Sequence, residues 1–243
     1  GLGDLVLDLA SYSDRLSDIT IVGQESNHVF AAWAKIRGML LLGENFKIAS
    51  GDILIKDHFE DTRFDAIVST FPTELNKGWK HLKSEIYRDP KKNWLKNPRF
   101  SMGFPSEDDA SLLWVQHVVA KFRPANEGGA RAAIVVTGTS LWAPDSNEIR
   151  SHLIDRDLIE TIICLQTDLL ATGPNFIWIL SNVKKQNQKG KIRIIDAKDF
   201  GSTDSEVSWI KFLQKEEVET ILELALQEES SSRLKIFAND EFK

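Results

Sequence analysis

The sequence contains very little cysteine: Cys164 is the single thiol among 243 residues. One cysteine excludes an internal disulfide framework and fits a reducing compartment such as the cytoplasm. Cys164 lies in the apolar stretch "LIETIICLQ", which is typical of a core strand. The sequence therefore predicts a buried and inert thiol rather than a nucleophile.

Other familiar signals are also missing. No run of 18 apolar residues occurs, which predicts no membrane span, and the N-terminus lacks the basic and apolar regions of a signal peptide. The five histidines never occur four residues apart, and the lone cysteine forms no C-x-x-C pair, so we expect no metal site. Neither a P-loop nor a G-x-S-x-G nucleophile elbow is present.

Positive charge is scarce overall but concentrated in one segment. The formal net charge is −6, yet residues 77–99 carry eight Lys/Arg against two acids, a local +6 that leaves −12 elsewhere. Aromatic residues are interleaved with these cations, which suits phosphate binding combined with base stacking. The DNA-contacting candidates are Lys77, Trp79, Lys91, Lys92 and Trp94. A solvated loop whose aromatics pack back onto the body is the alternative.

Strand-like and helix-like segments alternate along the chain. Strands are predicted at 19–25, 46–50, 64–68, 130–137, 158–165, 175–182 and 191–197, and helices at 2–16, 28–42, 106–122, 146–156 and 213–230. Ser106 is the predicted N-cap of the third helix. This order predicts an α/β fold with a doubly wound, mainly parallel sheet, one antiparallel pair of strands falling within 158–182. We expect a domain over 1–200 and an acidic helix and tail over 201–243 that pack on it or extend from it.

The turns after the strands are where such a sheet binds ligands. Gly1-Leu2-Gly3 precedes a helix, Glu25 ends the next strand, and Gly51-Asp52 ends the one after. A dinucleotide fingerprint would need glycine at position 6, where Val6 stands. The strand that normally precedes such a glycine turn is absent. We therefore expect that the first strand is missing from this sequence and that it is a piece of a longer protein.

These turns, in order, resemble a known family. "GLG", "GQE", "GD" and "FDAIVS" followed by a proline turn are similar to the N6-adenine DNA methyltransferases, above all the modification (M) subunit of type I restriction-modification systems. Longer stretches carry the likeness further. They are "DASLLWVQHVVAKFRPANEGGARAAIVVTGTSLW", "EIRSHLIDRDLIETIICLQTDLLATG", "FIWILSN", "KGKIRIIDA" and "KIFANDEF".

The resemblance implies a methyltransferase-type fold and S-adenosylmethionine as cofactor. Gly1 and Gly3 would flank its methionine part, Glu25 would hold the ribose hydroxyls, and Asp52 with Ile53 would meet the adenine. Its implied partners are DNA and the specificity and restriction subunits of a type I complex, with no membrane and no metal.

The catalytic turn departs from the family. Where relatives have Asn or Asp, two prolines and an aromatic residue, this chain has Thr70, Phe71, Pro72 and Thr73. The threonine hydroxyl is shorter than an asparagine amide, and Thr73 cannot stack on a flipped base. In addition, Asp4 places a carboxylate near the expected cofactor carboxylate, which predicts repulsion.

Three hypotheses follow. The first is a DNA-adenine methyltransferase domain whose methyl transfer is severely impaired. The second is an inactive, methyltransferase-like assembly or DNA-holding module. The third, a nicotinamide-dependent oxidoreductase, rests on the G-x-G turn and Glu25 but lacks the third glycine.

Overall fold

A computed structural model describes residues 1–70, 79, 98–106, 109–167, 169, 175–203 and 211–242. The chain divides into two compact units, Gly1–Thr62 and Arg63–Lys243. The predicted domain boundary at residue 200 stays a prediction. None of the described helices is long and apolar enough to cross a membrane.

The first unit contains two helices and a parallel pair of strands. Its elements are α1 (Asp4–Ser11), β1 (Ile21–Glu25), α2 (His28–Leu42) and β2 (Phe46–Ser50). The strands pair in register from Ile21↔Phe46 to Glu25↔Ser50. Because both strands run the same way, Glu25 and Ser50 share the carboxyl edge of this sheet.

Local chemistry explains where α2 begins, ends and packs. The Asn27 side chain caps its start by accepting hydrogen bonds from the Val29 and Phe30 amides. Gly43 ends it with a positive φ of 58°. A Cβ on Gly38 would lie 2.2 Å from the ring of Phe46, so glycine at this position allows the helix and β2 to pack closely.

The second unit is built on a six-stranded sheet. Its elements are β3 (Ala66–Thr70), α3 (Ser111–Ala120), β4 (Arg131–Thr137), α4 (Thr139–Trp142), α5 (Asn147–Asp155), β5 (Ile159–Leu165), β6 (Asn175–Ser181), β7 (Lys191–Ala197), the short strands β8 (Ser202–Thr203) and β9 (Lys211–Phe212), α6 (Lys215–Leu226) and β10 (Leu234–Ala238). The strand order is β10-β7-β5-β6-β4-β3.

Four of these strands point one way and two run against them. β3 and β4 pair in parallel, as do β5 and β7, whereas β6 is antiparallel to both β4 and β5 and β10 is antiparallel to β7. The predicted antiparallel pair within 158–182 is therefore confirmed.

Helices cover both faces of this sheet, as the α/β prediction requires. Neighbouring residues of a strand point to opposite faces, and Ile162 and Ile163 belong to different core clusters. The cluster of Ile162 includes residues of α3 and α5, and the cluster of Ile163 includes Ile221 and Leu224 of α6. The acidic helix predicted at 213–230 thus packs on the sheet rather than extending from it.

Several predicted boundaries need correction: the helix predicted at 2–16 spans Asp4–Ser11, and the helix predicted at 213–230 spans Lys215–Leu226. The strand predicted at 64–68 spans 66–70, because Phe64 forms a separate bridge with Phe122 before β3 begins. The helix predicted from Ser106 begins at Ser111, and the Asp109 carboxylate accepts the hydrogen bond from the Ser111 amide at 2.8 Å. Ala110 is the N-cap residue, and the Asp109 carboxylate, one position before it, satisfies a free N–H group of the first turn.

Candidate functional site

Glu25 ends β1 with its carboxylate held in place. Oε1 accepts a hydrogen bond from the Asn27 amide at 2.7 Å and from the Ser26 hydroxyl at 3.3 Å, while Oε2 contacts the Gly1 nitrogen. The side chain is 17% exposed. The turn after β1 thus fixes a carboxylate at the carboxyl edge of the two-stranded sheet, beside Gly1.

The loop after β2 carries Asp52 and Ile53, and its backbone is tightly folded. Asp52 Oδ1 accepts from the Leu54 amide at 2.9 Å, and the Asp52 carbonyl accepts from the Lys56 amide at the same distance. Gly51 has a φ of 144° and donates its amide hydrogen to the Glu25 carbonyl at 2.9 Å. This bond ties the Asp52 loop to the end of β1.

Gln24 is a site residue that sequence reasoning missed. Its Nε2 donates to the Gly51 carbonyl at 3.0 Å and the Lys56 carbonyl at 2.8 Å, and its Oε1 accepts from the His58 amide at 3.0 Å. One amide side chain therefore holds both ends of the 51–58 loop. The only signal in the sequence was its position next to Glu25.

Replacing Gln24 is expected to loosen this loop. In Gln24→Ala the His58 amide loses its acceptor, so we expect faster hydrogen exchange at His58, with the equivalent of about 1–3 kcal/mol of local stability lost. The measurement is amide hydrogen exchange by NMR. The Gly51 amide, bonded to Glu25 rather than to Gln24, is the internal control, and unchanged exchange at His58 would contradict the role given to Gln24.

The glycine turn before α1 contains a compensating ion pair. Gly3 adopts a φ of 85° as the N-cap of α1, in the left-handed region that favours glycine. Arg37 Nη1 lies 2.5 Å from Asp4 Oδ1 and 3.1 Å from the Leu2 carbonyl. Sequence analysis expected Asp4 to repel an anionic ligand, but the structure pairs this carboxylate with a guanidinium, which offsets its charge.

At the carboxyl edge of the second unit's sheet, β3 ends at Thr70 opposite Val135 of β4. Phe71, Pro72 and Thr73 of the predicted catalytic turn lie outside the described residues. The end of β4 carries a group of hydroxyls around one carboxylate: Thr139 Oγ1 donates to Asp109 Oδ2, and Thr137 Oγ1 lies 2.7 Å from Thr139 Oγ1. Polar side chains thus line the edge at which Thr70 stands.

An aromatic pair lies at the same edge. Phe176, which faces Val136 across the β4–β6 ladder, packs edge-on against Trp142 with ring centroids 6.4 Å apart. The Trp142 side chain is 57% exposed. Gly138 makes this placement possible, since a Cβ there would lie 2.0 Å from the Trp142 ring. Exposed indole at a strand edge is suited to stacking, and the sequence offered no signal that separated Trp142 from core tryptophans.

Of the DNA-contacting candidates in the basic segment, Trp79 is the one within the described residues. Lys77, Lys91, Lys92 and Trp94 lie outside the described residues. Trp79 is 4% exposed, its indole N–H donates to the Ser106 carbonyl at 3.0 Å, and its ring packs on Phe104. At this position the structure favours the packing alternative over direct stacking on a base.

The Cys164 thiol and the possible metal ligands are the other groups that could carry chemistry. Cys164 is half-buried rather than buried as predicted, and burial is the main cause that raises the pKa of its thiol, which disfavours the reactive thiolate. Within the described ranges, no group of three or more His, Cys, Asp and Glu side chains is placed to hold a metal ion.

Each unit thus offers one chemically distinct edge. The first places Glu25 and the Asp52 loop together, and carboxylate oxygens there can accept hydrogen bonds from hydroxyls or amines. The second places Thr70, the threonine hydroxyls near Asp109 and an aromatic pair at the ends of β3 and β4. This combination suits a planar, polar ligand.

Comparison with known proteins gives one family. The sequence model described as N-6 DNA Methylase matches residues 3–241. The chain is 28% identical over 237 residues to the type I restriction enzyme MjaVIII methylase subunit of Methanocaldococcus jannaschii, covering 91% of this chain and 38% of that protein. It is 23% identical over 202 residues to the HindI methylase subunit of Haemophilus influenzae, covering 79% of this chain and 41% of that protein.

A solved structure shares the fold. The type I restriction-modification system methyltransferase subunit from Streptococcus thermophilus superposes with a TM-score of 0.81 at 22% identity, over 99% of this chain and 49% of that one. The chain therefore spans about two fifths to one half of the length of these relatives.

Proposed function

The chain belongs to the N-6 DNA Methylase family, and from that premise we propose that it is the methyltransferase domain of a type I modification subunit, built to methylate adenine N6 in DNA. The observation that carries the proposal is Glu25, a carboxylate fixed at the end of β1 by the Asn27 amide. In α/β nucleotide-binding folds an acid at this position accepts the ribose hydroxyls.

The residues of the first unit fit S-adenosylmethionine as the cofactor. Glu25 would hold the ribose, Asp52 and Ile53 would meet the adenine, and Gly1 and Gly3 would flank the methionine part. The cofactor supplies the transferable methyl group. Gln24 positions the Asp52 loop through its hydrogen bonds to Gly51, Lys56 and His58.

Thr70 is where we expect methyl transfer to be impaired. A flipped adenine needs a side-chain acceptor for its N6 amine, so that the nitrogen lone pair points at the methyl group. The Thr70 hydroxyl is shorter than an asparagine amide, and a misplacement of about 1 Å lowers rates by about 10²-fold. Incorporation of radiolabelled methyl groups into DNA by the protein with its partner subunits tests this. Clear turnover that Thr70→Ala abolishes would refute the impairment.

A second candidate function follows from the threonine at position 70, where the family has Asn or Asp. A chain that retains the cofactor pocket without methyl transfer acts as an assembly or DNA-holding module beside a specificity subunit and a restriction subunit. Binding of S-adenosylmethionine with no detectable methyl transfer favours this module. Either role places the protein with DNA, in the cytoplasm.

The basic segment 77–99 is our candidate for the DNA contact. Replacing both Lys91 and Lys92 with Glu is expected to weaken DNA binding and to reduce the slope of log affinity against log salt by about 1.8, or about 0.9 per lost phosphate contact. Fluorescence anisotropy over a salt series measures this. Lys189→Glu with Lys235→Glu makes the same change in net charge at two exposed lysines. If both double variants alter the slope equally, the segment is not the contact.

A further inference from the structure

Helix α6 presents more apolar surface than the sheet covers. Ile221 and Leu224 are buried in the core cluster with Ile195 and Leu234. The next apolar row of the helix is Val218, Leu222 and Leu226, whose exposures are 39%, 59% and 70%. Residues four apart on a helix lie above one another, so these three side chains form one continuous line, here called the α6 ridge.

Acidic residues border the α6 ridge on one side. Glu219 and Glu223 lie three residues before Leu222 and Leu226 and so are their neighbours on the solvent side of the helix. Both are exposed, and Glu219 forms an exposed ion pair with Lys215 at 3.7 Å. Glu217 is engaged elsewhere, since it accepts from the Gln214 and Gly201 amides. Residues 215–229 carry one Lys and six Glu, a net charge of −5. The ridge is therefore apolar with a negative border.

We propose that the α6 ridge is a docking site for an amphipathic helix of a partner protein that carries Lys or Arg along one flank. An apolar line on a helix is matched by the apolar row of a second helix packed against it. Lys or Arg beside that row would meet Glu219 and Glu223, which sets the orientation of the partner and speeds association.

The negative border also disfavours a second copy of the chain or an anionic membrane as the binding partner of the ridge. A second copy of the chain would bring its own Glu219 and Glu223 against the same acids, and like charges in an interface are unfavourable. An anionic membrane surface is repelled for the same reason. Helix α2 exposes apolar residues too, including Trp33 and Leu40. Its charges are Lys35, which is exposed, and Arg37, which pairs with Asp4, and they form no charged border that identifies an occupant. The proposal is independent of cofactor binding and methyl transfer.

The test uses the whole chain and a synthetic helix. The probe is a fluorescent peptide of about 15 residues, with Leu at every third or fourth position and Lys on one flank. We expect saturable binding by fluorescence anisotropy. Binding to Leu222→Ser should be at least about tenfold weaker, because Leu222 lies at the centre of the proposed interface. Leu41→Ser is the matched control, because Leu41 is 63% exposed on α2 and lies in another unit. Circular dichroism checks that each variant is folded.

A charge exchange separates docking from simple attraction. The double variant Glu219→Lys with Glu223→Lys is expected to bind the Lys peptide about tenfold more weakly. It should bind a peptide with Glu on the same flank more tightly than wild type does. Glu127→Lys with Asp145→Lys, at two exposed residues outside α6, should change neither. Equal binding of a scrambled peptide, or no effect of Leu222→Ser, would overturn the proposal. So would sedimentation showing a dimer that Leu222→Ser disrupts while the peptide fails to bind.

Discussion

Lys184→Met is expected to lower the free energy of unfolding by about 3 kcal/mol, because it removes one partner of a buried ion pair. The Lys184 side chain is 2% exposed, and its Nζ lies 2.6 Å from Asp157 Oδ1 and 2.8 Å from the Lys191 carbonyl. Met preserves the length of the side chain but leaves the carboxylate without a counter-charge. Chemical denaturation measures the loss.

Asp157 is the centre of this network, which joins three turns. It adopts a φ of 54°, and its Oδ2 accepts from the Gly190 amide at 2.9 Å while Oδ1 also accepts from Asn239 at 2.9 Å. Lys185→Met is the control, since Lys185 is exposed and adjacent in sequence and should change stability by less than about 0.5 kcal/mol. Equal effects of the two substitutions would contradict the account.

The same network predicts how stability depends on pH. Burial alone raises the pKa of the Asp157 carboxyl, but hydrogen bonds from Lys184, Gly190 and Asn239 outweigh it and hold the pKa below its ordinary value. A depressed carboxyl pKa contributes stability that is complete above the unfolded-state pKa and is lost as pH falls through the folded-state pKa. The free energy of unfolding should therefore differ less between wild type and Lys184→Met in acid, and the difference should stay constant near neutral pH.

Restoring the family's catalytic turn is expected to raise methyl transfer by about 10²-fold or more. The triple substitution Thr70→Asn, Phe71→Pro and Thr73→Phe supplies the amide acceptor for the adenine N6 amine and the aromatic ring that stacks on the flipped base. The measurement is the initial rate of radiolabelled methyl incorporation into DNA by the protein with its partner subunits. Cofactor affinity should not change, because Glu25 is untouched.

Partial variants show which group limits the reaction. Thr73→Phe alone restores stacking without the acceptor, and Thr70→Asn alone restores the acceptor without stacking, so we expect each to gain less than the triple variant. A triple variant no faster than wild type, with wild type already turning over rapidly, would show that the threonine turn supports full activity.

The sequence predicted strands better than it predicted their partners. Continuous apolar runs such as those at Arg131–Thr137 and Ile159–Leu165 marked buried strands directly, because both faces of the sheet are covered. β10 was not predicted as a strand: only five residues long, it is defined by its antiparallel pairing with β7. The predicted start of α3 at Ser106 was wrong, since the helix begins at Ser111.

In the candidate site, too, features with a local sequence signal could be predicted and those that depend on distant partners could not. The positions of Glu25 and Asp52 at the ends of β1 and β2 could be predicted because acids at strand ends are a local signal, and their binding roles stay a prediction. Gln24 and the pairing of Asp4 with Arg37 could not be predicted, since their partners lie between 27 and 34 residues away. The aromatic pair of Trp142 and Phe176 likewise depends on the β4–β6 pairing, which no local pattern reveals.

Titration of S-adenosylmethionine into the chain by calorimetry, beside Glu25→Ala, tests the central claim most directly. The account predicts saturable binding by wild type and at least about tenfold weaker binding by Glu25→Ala, since two ribose hydroxyls lose their acceptor. Thr70→Ala should bind as wild type does, because Thr70 is assigned to transfer rather than to the cofactor. Equal affinities of wild type and Glu25→Ala, or no binding by a version extended upstream to include the expected first strand, would contradict it.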